Sequence, residues 1–221
     1  MHQSSISALN YRGEYKNDIN RNILFHKYMR HIAIRKDAII MLGLKANTVH
    51  LVPYNTEWNT LFQNTKEALA PLFGTNAVAI EHIGSTAIDM PGNMAKPILD
   101  VNITVRDAEA IPYDALEKLG YMFKGDFGIP GRYFFVHYSG EDIANHHIHC
   151  YLDGHPNHVD NLLFRDYLKA HPDCAMDYSA LKTELAAKYA EDRASYTAAK
   201  TDFVMRVLTL ARASSCNNLT E

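Results

Sequence analysis

From Leu99 to Val105 the chain alternates between apolar and polar side chains, with Leu99, Val101, Ile103 and Val105 on one side and Asp100, Asn102 and Thr104 on the other. A period of two marks a strand with one buried face. This stretch, extended back to Lys96, is therefore predicted to be a sheet strand that carries Asp100 and Asn102 on one surface. Two positions along a strand lie about 6.6 Å apart, so the two oxygen-bearing side chains can converge on one ligand. Upstream, residues 78–83 read as a second strand, which runs into His82-Ile83-Gly84-Ser85-Thr86-Ala87. An amphipathic helix is expected before it, capped at Asn55 or Thr56, passing through Trp58, Leu61, Phe62, Leu69 and Leu72, and ending before Gly74.

Beyond the central strand, Asp107 and Gly120 read as the caps of a helix with Leu116 and Leu119 facing inward. Residues 132–138 and 147–152 are aromatic and apolar strand candidates separated by Ser139-Gly140-Glu141-Asp142, a hairpin pattern. After Pro156 the texture turns helical, over 161–170 and then over about 177–213, where Leu181, Leu185, Tyr189, Tyr196, Phe203 and Leu210 recur at helical spacing. Ahead of Val49, Ile23, Leu24, Tyr28, Ile32, Ile39 and Leu42 also recur at helical intervals. The predicted fold is α+β, with an α/β centre: a mixed sheet flanked by helices. Residues 1–48 are expected to form a helical N-terminal extension, 49–213 the folded domain with its C-terminal helices, and 214–221 a flexible tail.

The 221 residues carry a formal net charge of -3, with 47% hydrophobic and 21% charged residues. That balance belongs to a folded globular chain, and it lacks the bulk positive charge that drives non-specific nucleic-acid binding. No nucleic-acid partner is expected. Cys150, Cys174 and Cys216 have no CxxC spacing and are odd in number, which suits reduced thiols. Met1-His2-Gln3-Ser4-Ser5 lacks the basic and apolar pattern of a secretory leader. No apolar run approaches the roughly 20 residues needed to cross a bilayer. The expectation is a soluble, cytoplasmic protein with no membrane partner.

Gly84 leaves a strand and allows close backbone approach to a ligand, while Ser85 and Thr86 add hydroxyls beside amide groups, a combination suited to phosphate oxygens. Alone, a Gly-Ser turn is more often a plain strand exit. Asp100 and Asn102 on one strand face add oxygen donors for a divalent ion, although one solvated sheet face would look the same. His147 and His149 share a face of their own strand; neutral imidazoles suit Zn, Mn, Fe or Ni, and either is a candidate general base. His82 would join them if the strands are neighbours, whereas His137 and His146 fit the pattern less well. Lys96 and Arg132 sit at strand ends, where they can neutralise a phosphate or a carboxylate. Tyr189, Arg193, Tyr196 and Lys200 form one helical stripe. A packed aromatic face with snorkelling basic side chains would give the same pattern.

His82-Ile83-Gly84-Ser85-Thr86-Ala87, Ala95-Lys96-Pro97-Ile98-Leu99-Asp100, His147-Ile148-His149, Phe164-Arg165-Asp166-Tyr167-Leu168 and Tyr196-Thr197-Ala198-Ala199-Lys200 resemble the successive signatures of the GrpB family, over about residues 42–212. The resemblance implies the polymerase-β-like nucleotidyltransferase superfamily, whose pattern is a Gly-Ser turn, a helix, and Asp-x-Asp or Asp-x-Glu on the next strand. Asn102 stands where that pattern has its second carboxylate, and Pro91-Gly92 interrupts the place of the helix. The implied activity is metal-dependent transfer of a nucleotidyl group from a nucleoside triphosphate to an acceptor. In that scheme Asp100, Asn102 and His149 are catalytic. His82, Gly84, Ser85, Thr86, Lys96, Arg132, Tyr196 and Lys200 bind the nucleotide or another phosphorylated small molecule, and Asp100, His147 and His149 hold a divalent cation, Mg or Mn with Zn as the further choice. Two other readings stand beside it: a non-catalytic nucleotide or phosphometabolite-binding module, and a His-centred metal-dependent hydrolase.

Overall fold

The computed structural model describes residues 42–217, and the helical pattern seen before Leu42 lies outside the described residues. In chain order the elements are β1 (Leu44–Lys45), β2 (Val52–Pro53), α1 (Glu57–Phe73), β3 (Ala77–Ile83), β4 (Met94–Ala95), β5 (Leu99–Val105), α2 (Tyr113–Lys118), β6 (Tyr121–Phe123), β7 (Tyr133–Gly140), β8 (Ile143–Leu152), α3 (Pro156–Ala170), α4 (Pro172–Lys188), α5 (Arg193–Ala198) and α6 (Thr201–Asn217). The main sheet runs β3-β5-β8-β7-β6 with β1 also on β8, and β2 and β4 form a separate ribbon. Strands β5 and β8 are parallel, and the other pairs are antiparallel. The parallel pair needs a crossover, supplied here by α2 and the strands β6 and β7. This is the mixed sheet flanked by helices that the patterning predicts.

Side chains directly paired across a ladder share a face. Val101 pairs with His82 and Ile148 and so faces one way, while Asp100 pairs with Ile83 and His147, and Asn102 with His149, facing the other. The first face packs on α1, where Trp58, Phe62, Leu69 and Phe73 meet Val101, Ile103, Val105 and Ile148. Leu69, Val101, Ile103 and Ile148 are fully buried, and each such burial contributes about 1.5–3 kcal/mol. Helix α1 begins as predicted near Asn55, whose Oδ1 accepts from Glu57 N at 2.9 Å, and stops at Gly74. A second apolar cluster, with Ile88, Leu168, Tyr178, Phe203 and Val207, binds α3, α4 and α6 to the loop after β3. No helix among the described residues is long and apolar enough to cross a membrane.

Three local expectations are corrected. The helix expected from Asp107 begins only at Tyr113; Asp107 Oδ1 instead accepts from Glu109 N at 2.9 Å in a local turn, and Pro112 stands at the helix entry. The expected long helix over 177–213 is three helices. Asp192 caps the short middle one by accepting from Ser195 N at 3.0 Å, and an upstream segment bonds to the break, through Val49 N to Ala190 O at 2.7 Å and Arg193 N to Asn47 O at 3.1 Å. Tyr189 and Lys200 therefore lie outside helix α5, and the four-residue stripe is not one helix face. Finally, β5 begins at Leu99, because Ile98 N turns back onto Lys96 O at 2.7 Å.

Candidate functional site

After β3 the chain turns at Gly84, whose φ of 69° favours glycine. A Cβ there would stand 2.5 Å from Asp100 Oδ2, so the missing side chain is what lets this turn lie against the carboxylate. A single 3-10 turn, Ser85–Ala87, follows in place of a longer helix. The loop to β4 is then pinned from inside. Buried Asn93 donates through Nδ2 to Ser85 O (2.8 Å) and Ile88 O (2.9 Å), and its Oδ1 accepts from Lys182 Nζ (3.0 Å). On α4, Ser179 Oγ accepts from Met94 N (2.8 Å) and donates to Gly92 O (3.1 Å).

The parallel register of β5 and β8 places Asp100 opposite His147 and one step from His149. His147 Nδ1 lies 3.0 Å and His149 Nε2 3.4 Å from Asp100 Oδ1. One donor atom from each of the three residues falls within 4.8 Å of the other two. The side chains keep 25%, 13% and 15% of their surface for Asp100, His147 and His149, which leaves the group reachable. Burial alone would raise the Asp100 pKa, but the hydrogen bonds from His147 and His149 outweigh it and hold the carboxylate well below its ordinary value. Burial pushes His147 toward its neutral form against the opposing pull of Asp100. These two tendencies agree if a neutral His147 donates its Nδ1 proton to Asp100, which leaves Nε2 as a free acceptor. On the far side of His149, Arg132 Nη1 approaches Nδ1 at 3.4 Å.

Positive charge surrounds this carboxylate. Lys96 and Lys200 lie over the buried Tyr196 ring, with Nζ 5.7 and 4.4 Å from its centroid. Burial lowers the Lys96 pKa to about 7, helped by the charges of Arg193 and Lys200, and burial lowers Lys200 to about 8. Burial likewise brings Lys182 down to about 7. Asp100 exerts an opposing, favourable field on Lys96, Arg193 and Lys200. Among the described residues, none of these four cations has a carboxylate within ion-pair distance. Crowded, partly desolvated cations without counter-ions are unfavourable unless an anion offsets them.

Of the residues singled out from sequence, the structure brings together Asp100, His147, His149 and Gly84, with Ser85 next along the turn and Lys96 and Lys200 in the surrounding positive field. Five others are placed differently. His82 turns to the α1 face by strand parity, stacks on Phe62 at 4.9 Å and pairs with Thr86 Oγ1 at 3.0 Å. Thr86 is buried and donates to Ile98 O at 3.3 Å, so its hydroxyl is occupied inside the fold. Tyr196 is a buried support for the two lysines. Asn102 shares the site face but is 1% exposed; its Nδ2 bonds to His158 Nδ1 on α3, and its Oδ1 has no hydrogen-bond partner among the described residues. Arg132 is largely spent on its own loop, donating to Asp126 O (3.0 Å) and Phe127 O (2.8 Å) while lying over Phe134 at 4.6 Å. Sequence reasoning missed Lys182, Asn93 and His158, whose partners are 89 and 56 residues away along the chain and leave no local pattern.

A mixed sheet that presents one carboxylate and two imidazoles beside a glycine turn and a cluster of unpaired cations defines an α+β protein with a candidate cation and phosphate centre. The chain belongs to the GrpB family: the family model described as GrpB protein matches residues 48–210. It is 40% identical over 172 residues to UPF0157 protein YqkA of Bacillus subtilis (strain 168), covering 73% of this chain and 49% of that protein. It is 34% identical over 173 residues to glutamate-rich protein GrpB of Alkalihalophilus pseudofirmus, covering 76% and 98% of the two chains. The chain thus spans about half the length of the first relative and nearly all of the second. The crystal structure of conserved protein GrpB from Enterococcus faecalis is similar at a TM-score of 0.67 and 30% identity, over 75% of this chain and 99% of that one.

Proposed function

We propose that the site binds the phosphate groups of a nucleotide together with a divalent cation and transfers a nucleotidyl group to an acceptor. The observation that carries this reading is the shared carboxylate: Asp100 Oδ1 meets both His147 and His149, with its other oxygen against the Gly84 turn. Gly84 and Ser85 offer backbone amides at the turn, and Lys96, Arg193 and Lys200 offset phosphate charge. Asp100, His147 and His149 would hold the cation, and one carboxylate with two imidazoles suits Mn or Zn better than Mg. When bound, such a cation polarises a phosphoryl oxygen. The chain's own contribution is positioning and a fixed positive field.

Calorimetry with a nucleoside triphosphate panel, with and without Mn, Zn or Mg, tests the binding half, and mass spectrometry of the same mixtures with a small-molecule extract tests transfer. Wild type is expected to bind a triphosphate in a cation-dependent way and to convert it. Asp100→Asn is expected to lose about a hundredfold or more in turnover while still unfolding cooperatively. Turnover unchanged in that variant would sink the assignment.

A binding-only module is the second reading, favoured by Asn102, which carries no charge and whose amide nitrogen is taken by His158. Cation-dependent binding by wild type without any product supports it. The same donor set also suits a metal-dependent hydrolase, which would release product with water as the sole acceptor.

A further inference from the structure

Three non-glycine residues among those described have left-handed φ values: Asn47 at 64°, Asp142 at 57° and Phe127 at 46°. Asn and Asp tolerate this region through local hydrogen bonds of their short side chains, but a phenylalanine has no such compensation. Strain of this kind persists where the surroundings over-determine it. Here Arg132 does so, gripping the carbonyls of Asp126 and Phe127, while Asp126 Oδ1 accepts from Gly128 N at 2.9 Å. The outcome is a ring left 70% exposed, the most exposed large apolar side chain among the described residues. Gly125 and Gly128 flank it, and a Cβ at either would meet nothing within 4 Å, so the backbone on both sides of Phe127 is uncovered.

This ring belongs to the neighbourhood of the site. Phe127 contacts Phe134 with centroids 5.4 Å apart, and Phe134 lies 5.2 Å from the His147 ring and 5.0 Å from the His149 ring. Two aromatic steps therefore place Phe127 within about 11 Å of the imidazole pair. Arg132 ties both ends, since the guanidinium that holds the Phe127 carbonyl also reaches His149 Nδ1.

We propose that Phe127 is a stacking platform for a planar ring of the ligand whose phosphates lie at Asp100, His147 and His149, that ring being the base of a nucleotide. The inference rests on the phosphate-binding reading above and names the other half of the same ligand. An aromatic side chain presents a π-face that accepts any base, so the platform selects for flatness more than for base identity. Its attachment through Arg132 keeps the platform and the imidazole pair in fixed register, which a ligand bridging both requires.

The test compares ATP and CTP with inorganic tripolyphosphate, each with Mn, on the full chain and on Phe127→Ala and Phe127→Tyr. Wild type is expected to bind both nucleotides about tenfold more tightly than tripolyphosphate. Phe127→Ala should remove that preference while leaving tripolyphosphate affinity unchanged, and Phe127→Tyr should restore it. Phe127→Trp adds an exposed indole that nucleotides, and not tripolyphosphate, should quench. Wild type that binds tripolyphosphate as tightly as ATP overturns the stacking role and leaves phosphate binding standing. So does a Phe127→Ala variant that keeps its nucleotide preference and changes only its oligomeric state, which would assign the ring to a contact between copies. Binding of none of the three probes overturns both readings. A nucleotide preference that depends on Phe127 in a chain with no transfer activity supports the platform and removes the transferase.

Discussion

His146 and His147 are neighbours on β8, yet they face opposite sides of one sheet and meet different environments. His146 is 3% exposed; its Nδ1 lies 2.9 Å from Asn145 Oδ1, the same oxygen that meets His137 Nδ1 at 2.7 Å. Burial lowers its pKa to about 3, so it is a neutral member of a closed polar network inside the α1-side core. His147 is also driven toward neutrality by burial, but it joins Asp100 and His149 on the face where unpaired lysines gather. His82 repeats the first pattern with Thr86 and Phe62. A histidine whose partners are all supplied within the fold acts as structure, whereas one that shares an ionised carboxylate beside unpaired cations is poised for a ligand.

The sharpest way to break this division is to remove the imidazoles of the open face. His147→Ala combined with His149→Ala should lower Mn or Zn affinity at least about a hundredfold, since two of three ligands are lost, and the cation-free chain should still unfold cooperatively but at a lower melting temperature, because Asp100 loses both imidazole partners. Calorimetry with the metal alone reads this, and unchanged affinity would empty the open face of its role. The closed face should answer in the opposite way. Asn145→Ala leaves two buried imidazoles without their common acceptor and should destabilise the fold by about 1–3 kcal/mol in urea titrations, with metal affinity preserved. A loss of metal affinity without a loss of stability would reverse the assignment of the two faces.

The smallest effect is a pH slope. Burial, partly opposed by Asp100, lowers the His82 pKa from 6.5 to about 4. As pH falls below 6.5 the unfolded chain takes up a proton that the native chain refuses until about pH 4, so stability declines across that window. The slope is at most about 1.4 kcal/mol per pH unit from this one residue. His82→Leu should flatten urea-derived stabilities between pH 6.5 and 4.5 relative to wild type. An equal slope in both would mean that His82 is not held neutral by the core.

Much of this arrangement was legible along the chain. The alternation through Leu99–Val105 fixed a strand with Asp100 and Asn102 on one face, and the i, i+2 spacing of His147 and His149 put them together on another. Helix α1 and the β7-β8 pair followed from periodicity and turn residues, and the GrpB motifs followed from their order. These features are local, decided by backbone geometry that repeats every few residues.

Tertiary structure decided the rest. That β5 pairs in parallel with β8 is a choice between strands 47 residues apart at Asp100 and His147, and it alone makes the shared carboxylate. Parity with β5 turned His82 away, His158 from α3 claimed the Asn102 amide, and the segment at Asn47 and Val49 bonded to the break in a helix that periodicity drew as continuous. Asn93 and Lys182 meet inside the fold only after α4 has packed on the loop. Sequence periodicity says which way a side chain points from its own element; which partner stands opposite is set by how elements pack, through contacts that no short stretch of chain records.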